Sequence, residues 1–287
     1  MSVAVCRSDA VAASTAESLA GLRADGGIDI LFKVQAHAPD KTVAKSYHEY
    51  GGYRVRIPRS YDGAEAVIIN TAGGMASGDR ANYAVQVGDG ASATVTTQAA
   101  ERIYRSLGPE TRIATQLTAN AQSMLCWLPQ ESILFSDAHL ARKIDADVHA
   151  TGRLLIAECF TFGRTAMGEK VTAGCFNDQW RIKRAGKLIY ADAVNIHGSI
   201  NEILAHPAVA AGYNSVATVL YVAPDAEDRL NGVRQVLAGA QTQAAASAWD
   251  GILSVRLLGH GTAPLRRDLA GVSEYLSSRP MPRVWWT

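Results

Sequence analysis

A strand–turn–strand unit that recurs three times is the feature that most constrains the fold of this chain. Val85-Gln86-Val87, a turn at Gly88-Asp89-Gly90 and Ala93-Thr94-Val95-Thr96 make the first unit. Gln116-Leu117, a turn around Ala119-Asn120-Ala121 and Met124-Leu125-Cys126-Trp127 make the second, 30 residues on from Val87 to Leu117. Asp147-Val148, a turn at Thr151-Gly152 and Leu154-Leu155-Ile156-Ala157 make the third, 31 residues further at Val148. Units of this length cannot bury an apolar face alone and are completed by stacking on their neighbours. They predict stacked hairpins that close one another's open faces, in a mainly β, superhelix-like arrangement of antiparallel layers.

The flanks agree. Tyr53, Val55 and Ile57 alternate with Arg54 and Arg56, and Ile113, Thr115 and Leu117 alternate with Arg112, Ala114 and Gln116, the period of half-buried strands. Residues 180–183 and 188–190 flank Arg184-Ala185-Gly186-Lys187 as a hairpin. Helical spacing appears only late. A short apolar segment starts at Asn201 and stops near Pro207. Asp225 is placed to cap a helix over 226–240 with Leu230, Val233, Val236 and Leu237 on one face. After an apolar strand at 252–258, Leu265, Leu269, Val272 and Leu276 follow Pro264 at helical spacing. Two α-helices are therefore expected in the C-terminal third. No Pro/Gly/Ser-rich linker divides the chain, so a flexible tail over residues 1–24 and one β domain over 25–287 are expected.

A net charge of +1 over 287 residues gives neither the basic stripe of a dedicated nucleic-acid binder nor long-range attraction to acidic membranes. Asp9 and Glu17 interrupt the first residues, which removes the pattern of a signal peptide, and no apolar run approaches the roughly 20 residues of a membrane helix. The four cysteines, Cys6, Cys126, Cys159 and Cys175, have no CxxC spacing. That argues against a disulfide framework or a structural zinc site and for a reducing cytoplasm.

Two places concentrate chemistry. In Asn70-Thr71-Ala72-Gly73-Gly74-Met75-Ala76-Ser77-Gly78-Asp79-Arg80, an apolar strand runs into three glycines and an acid. Glycine reaches positive φ without penalty and lets another backbone or a ligand come close. The block is not a phosphate loop, because Asp79 follows Gly78 where that motif has Lys and then Ser or Thr, and a strand follows instead of a helix. A tight turn and part of a metal path remain open. The second place is Glu158, which alternation puts on one face with Leu154, Ile156, Phe160 and Phe162. A carboxylate there must be paired, protonated or bound to a cation, unless a bulge turns it outward. Arg102, Arg105 and Arg164 are the candidate partners if its role is structural. The seven histidines show no HxH or HxxxH spacing, although His260, in Gly259-His260-Gly261-Thr262, stands in a turn where it can meet metal or water. No Gly-x-Ser-x-Gly elbow occurs.

Taken together, several motifs resemble the urease accessory protein UreD (UreH) family. They are residues 71–79, Thr96-Thr97-Gln98-Ala99-Ala100-Glu101-Arg102-Ile103-Tyr104-Arg105-Ser106, Trp127-Leu128-Pro129-Gln130-Glu131-Ser132-Ile133-Leu134-Phe135, Glu158 through Gly163-Arg164, and Pro282-Arg283-Val284-Trp285-Trp286-Thr287. The resemblance implies a non-catalytic nickel-insertion factor in the cytoplasm, with no tightly bound cofactor and Ni²⁺ only in transit. It also implies partners: apo-urease subunits, UreF and, through UreF, UreG, with no nucleic acid and no membrane. It makes Asp79 and Glu158 the candidates for a nickel passage, with His260 as a weaker one. Gly73, Gly74 and Gly78 become its structural loop, and Tyr104, Arg105, Glu131, Arg164, Arg283 and Trp285 its partner or scaffold positions. Ser77 and His260 depart from the family pattern, which has glycine and commonly an acid there. Sparse oxygen ligands suit release, because a full set of imidazoles or thiolates holds a borderline cation too tightly. Two rivals stand beside this reading: an all-β hydrolase using Asp79 and Glu158 as acid and base, and a structural clamp with no metal contact.

Overall fold

The computed structural model describes residues 23–59, 63–164 and 167–286. Strands are numbered in chain order. One sheet contains β1 (Asp25–Gln35), β2 (Ala38–Tyr50), β5 (Arg80–Val87), β8 (Thr111–Ala119), β11 (His139–Val148), β13 (Cys175–Arg184) and β14 (Lys187–His197), in the order β14-β13-β11-β8-β5-β1-β2. The other contains β3 (Tyr53–Arg56), β4 (Ala64–Asn70), β6 (Ser92–Thr97), β9 (Met124–Leu128), β12 (Arg153–Phe162), β15 (Ser215–Val222), β16 (Gln243–Trp249) and β17 (Ile252–Gly259), in the order β16-β17-β15-β12-β9-β6-β4-β3. Two short strands, β7 (Glu101–Ile103) and β10 (Ser132–Leu134), continue its edge beside β12.

The fold is mainly β and stacked, as the repeat predicts, but its units are arches and not hairpins. The strands either side of each turn lie in different sheets and pair in parallel with the equivalent strand of the next unit, β5 with β8 and β8 with β11 on one side, β6 with β9 and β9 with β12 on the other. Antiparallel pairing is confined to the flanks, where β1 meets β2, β13 meets β14 and β12 meets β15. Val87 stacks on Ala119 and Ala119 on Val148, so Leu117 stands two residues out of the register that the sequence intervals suggest. The turns stack as well: the Asn120 N–H donates to the Val87 carbonyl at 3.0 Å and the His149 N–H to Ala119 at 2.8 Å.

Three helices lie in the C-terminal part, α1 (Ile200–Ala205), α2 (Ala226–Leu237) and α3 (Thr262–Ser277), followed by a 3₁₀ turn, Arg283–Trp286. The short α1 is the segment before Pro207. Asp225 precedes α2 as expected, yet its carboxylate takes the Tyr221 hydroxyl at 3.0 Å and Arg229 Nε at 3.0 Å instead of capping backbone N–H groups. The apolar faces of α2 and α3 cover the outer side of the second sheet over Cys126, Leu155, Ala157 and Cys159, while a larger core fills the space between the sheets. Strand β12 is consequently buried on both faces, apart from Arg153. Up to residue 22 the expected tail lies outside the described residues, and no described helix is long and apolar enough to cross a membrane.

Candidate functional site

The glycine block leaves β4 and folds back against β7. The Met75 N–H donates to the Arg102 carbonyl at 2.7 Å, and the Tyr104 N–H donates to the Met75 carbonyl at 2.9 Å. Gly73, Gly74 and Gly78 have φ of 73°, 151° and 83°. A Cβ on Gly74 would stand 2.6 Å from Tyr104 Cε2 and 2.8 Å from the Arg102 carbonyl, so only glycine permits this approach. The Tyr104 hydroxyl closes the loop on the Gly73 carbonyl at 3.1 Å. Ser77 has a use for its side chain, donating to the Pro109 carbonyl at 2.7 Å and sharing a 3.0 Å bond with Ser106. Asp79 is 8% exposed. Its Oδ1 accepts from the Ala24 N–H at 2.9 Å and its Oδ2 from the Ala76 N–H at 2.7 Å. The carboxylate therefore ties the loop to the entry of β1, and both oxygens are engaged.

Beside this loop lies a cavity of about 220 Å³, lined by Tyr53, Asn70, Gly74, Tyr83, Thr97 and Glu101 among others. Asn70 Nδ2 donates to the two Glu101 carboxyl oxygens at 3.0 and 3.2 Å. Among the described residues no Lys, Arg or His forms an ion pair with Glu101. Burial, helped by the charge of Asp79, pushes its carboxyl up to about 7 against the opposing pull of the Asn70 and Arg102 hydrogen bonds. Tyr53 and Tyr83 meet edge-on with centroids 5.6 Å apart and share a hydroxyl hydrogen bond.

From the cavity the contacts continue inward. Tyr83 packs on Trp127 at 5.7 Å between centroids, and Trp127 Nε1 donates to Glu158 Oε1 at 2.8 Å. Glu158 is 4% exposed and faces the space between the sheets, as alternation predicts. Its ion-pair partner is Arg142, reaching across from β11 in the opposite sheet, and not Arg102, Arg105 or Arg164. Arg142 also forks onto Asp178, its register neighbour in β13, with Nε to Oδ1 and Nη2 to Oδ2 both at 2.9 Å. Trp180 Nε1 adds a 2.9 Å bond to Asp178 Oδ2, and the guanidinium lies 4.4 Å over the Phe160 ring. Burial works to lower the Arg142 pKa, but Asp178 and Glu158 outweigh it and keep the guanidinium charged. Two carboxylates share that one cation, and burial pushes the Glu158 carboxyl above the usual carboxylate range despite Arg142.

The remaining sequence candidates are dispersed. His260 is exposed and stacked on Tyr213 at 4.3 Å, apart from the three acids. Arg164 pairs with Glu169 and covers Phe135 at 4.5 Å. Glu131 is buried, 3.7 Å from Arg266. Arg105 and Arg283 are exposed. Trp285 is 2% exposed and donates to Thr96 Oγ1 at 3.0 Å, so it packs on the chain's own core, while its neighbour Trp286 is 59% exposed. Among the described residues no group of three or more His, Cys, Asp or Glu is placed to hold a metal ion.

A family model described as UreD urease accessory protein matches residues 25–286. The chain belongs to the UreD family. Curated relatives agree with that membership. A urease accessory protein UreD of Xanthobacter autotrophicus is 47% identical over 239 residues, covering 83% of each chain. One from Methylobacterium sp. is 45% identical over 245 residues, 83% of this chain and 87% of its own. One from Rhodopseudomonas palustris is 40% identical over 267 residues, 93% of this chain and 94% of its own. In this UreD-family chain the sequence identified the two ends of the run of acids, Asp79 and Glu158. It missed Glu101 between them, and Arg142 and Asp178 beyond. Arg142 shares parity with Leu140, Ile144 and Ala146, and Asp178 with Phe176, Trp180 and Ile182, the same signal that singled out Glu158. Glu101 sits in a strand of 3 residues with no period to read.

Proposed function

We propose that this chain is a urease maturation factor, a non-catalytic nickel-insertion scaffold that binds apo-urease and UreF, engages UreG through UreF, and passes Ni²⁺ towards the urease active site in the cytoplasm. The observation that carries the proposal is the family match over nearly all of the described chain. The contacts from Tyr83 through Trp127 to Glu158, with Asp79 and Glu101 at their outer end, support an internal passage lined by sparse oxygen donors. The exposed Trp286 and Arg283 offer the aromatic and arginine chemistry common at binding hot spots, whereas Trp285 serves the scaffold.

A hydrolase reading draws no support from the geometry. Asp79 holds two backbone N–H groups and Glu158 lies behind Trp127 in an ion pair, so neither is free to exchange a proton with a substrate. The same engagement favours a second reading, a structural clamp without nickel contact. Co-expression of urease subunits and the other accessory proteins with and without this chain tests the proposal. Urease gains nickel and activity only with the chain present; equal nickel content in both cultures would refute it. Asp79→Ala and Glu158→Ala separate passage from clamp: loss of nickel loading with UreF binding intact supports the passage, and full loading in both supports the clamp.

A further inference from the structure

After α3 the chain runs as a strap over β9, β6 and β4, and the strap is fastened along its length. The Met281 N–H donates to Glu274 Oε1 at 2.9 Å, Gln130 Nε2 donates to the Val284 carbonyl at 3.0 Å, and Arg266 donates to the Trp285 carbonyl. Trp285 Nε1 reaches Thr96 Oγ1 at 3.0 Å and the Leu128 carbonyl at 3.3 Å. Between this strap and β4 lies a cavity of about 520 Å³, within the size range of ligand pockets. Val67, Met281, Pro282 and Val284 give it an apolar wall, and the exposed Trp286 lines it as well. Its charged lining is lopsided: Arg59, Arg279 and Arg283 stand against a single acid, Glu65. Among the described residues none of these three guanidinium groups has an ion pair or a hydrogen bond. Arg279 lies against Gly63, where a Cβ would stand 2.6 Å from Nη1, so backbone positions this cation without neutralising it. Glu65 is half-buried; burial pushes its carboxyl up and the charge of Arg283 pulls it back, but the two form no ion pair. In a chain with a net charge of only +1, this excess of unpaired arginine is local.

We propose that this pocket captures an acidic peptide segment of a partner protein, whose carboxylates pair with Arg279 and Arg283 and whose apolar side chains pack on Met281 and Trp286. Guanidinium forks match carboxylate geometry two bonds at a time. A small oxyanion would use the arginines and leave the apolar wall idle, and a nucleic acid would find aliphatic side chains where its bases need ring faces. A peptide uses both halves of the lining. Because the strap is already fastened, little order is lost when the wall is covered. Glu65 occupies part of the field of Arg283, so it opposes an incoming carboxylate, and its neutralisation strengthens binding. The pocket stands on its own lining; only the assignment of the peptide to a protein of urease maturation rests on the function proposed above.

Fluorescence anisotropy of the full chain with a short fluorescein-labelled peptide of alternating glutamate and leucine tests this. The peptide binds, its affinity falls as salt rises, and the same peptide with glutamine in place of glutamate does not bind. Arg279→Ala and Arg283→Ala each weaken binding on the order of tenfold. Glu65→Gln strengthens it, and Lys45→Ala, on β2 of the other sheet, leaves it unchanged. Circular dichroism establishes that each variant is folded, and the exposed Arg283 supplies a variant that removes no described hydrogen bond. Equal binding of the glutamine peptide, unchanged affinity in a folded Arg283→Ala, or weaker binding in Glu65→Gln would overturn the pocket. Displacement of the peptide by an equal charge of inorganic phosphate or of oligouridylate would assign the arginines to phosphate and overturn it too. The co-expression experiment separates the two proposals. Peptide bound at these arginines, with urease loaded equally in the absence of the chain, leaves the pocket standing and removes the maturation role. No peptide bound, with loading dependent on the chain, does the reverse.

Discussion

The glycine-loop end of the molecule and the space between the sheets both bury acids, but they neutralise them by different means. At the loop, Asp79 is held by two backbone N–H groups and stays local, fastening residue 24 to residue 76. Between the sheets, Glu158 and Asp178 are held by one guanidinium that joins β12 to β11 and β13. Glu101 stands between the two regimes, held by the Asn70 side-chain amide and the Arg102 backbone N–H, with no ion-pair partner among the described residues. The lesson is that burial of a carboxylate does not itself mark a metal path. What distinguishes a group able to exchange its partner is the absence of a fixed one.

The largest test of that contrast is removal of the shared cation. Arg142→Ala leaves two buried carboxylates uncompensated and lowers stability by about 3–5 kcal/mol in urea unfolding at pH 7. A loss under about 1 kcal/mol would show that the cluster is not what joins the sheets. Asp79→Ala comes next. It orphans two N–H groups that a charged acceptor held and costs about 2–3 kcal/mol, with faster amide exchange at Ala24 and Ala76 as the local signature. Glu101→Gln acts in the opposite direction. Its carboxyl is raised in the folded state to about 7, so its contribution is favourable below the unfolded value near 4.5 and is lost as pH rises through 7. The amide therefore stabilises the protein by up to about 3 kcal/mol at pH 8.5 and changes little at pH 4.5. Equal melting shifts at both values would place a fixed cation beside Glu101. Smallest of all, Trp286→Ala changes stability by less than about 0.5 kcal/mol while weakening complex formation in pull-downs.

Much of the scaffold was legible because period-two alternation survives wherever one strand face meets the core. β3, β8 and the β13–β14 pair follow directly from it, as do the apolar faces of α2 and α3. What alternation cannot give is the partner of each strand. Hairpin and arch have the same local pattern, and only the need to cover both faces of β12 decides for the arch. The two-residue error at Leu117 has the same origin, since shifting by two keeps every side chain on its face. In the site, Glu158 was readable as an acid on an apolar parity, but its arginine lay 16 residues away on another sheet and not among the candidates Arg102, Arg105 and Arg164. Arg142 carried the same anomaly and becomes conspicuous once both are read together.

The antiparallel pairs at the two ends of the first sheet bear on how the molecule behaves in a crowded solution. A stack of parallel arches is open at both ends, and each terminal arch would template another copy of itself into a filament. Here β2 and β14 turn back against the direction of the stack, and register shifts interrupt both pairs, at Leu31/Phe32 and Val34/Gln35 on one side and at Ile182/Lys183 on the other. Their outer surfaces carry exposed Lys41, Lys45 and Lys187. Reversed direction, broken register and positive charge together deny an incoming strand a matching ladder. The stack thus ends itself.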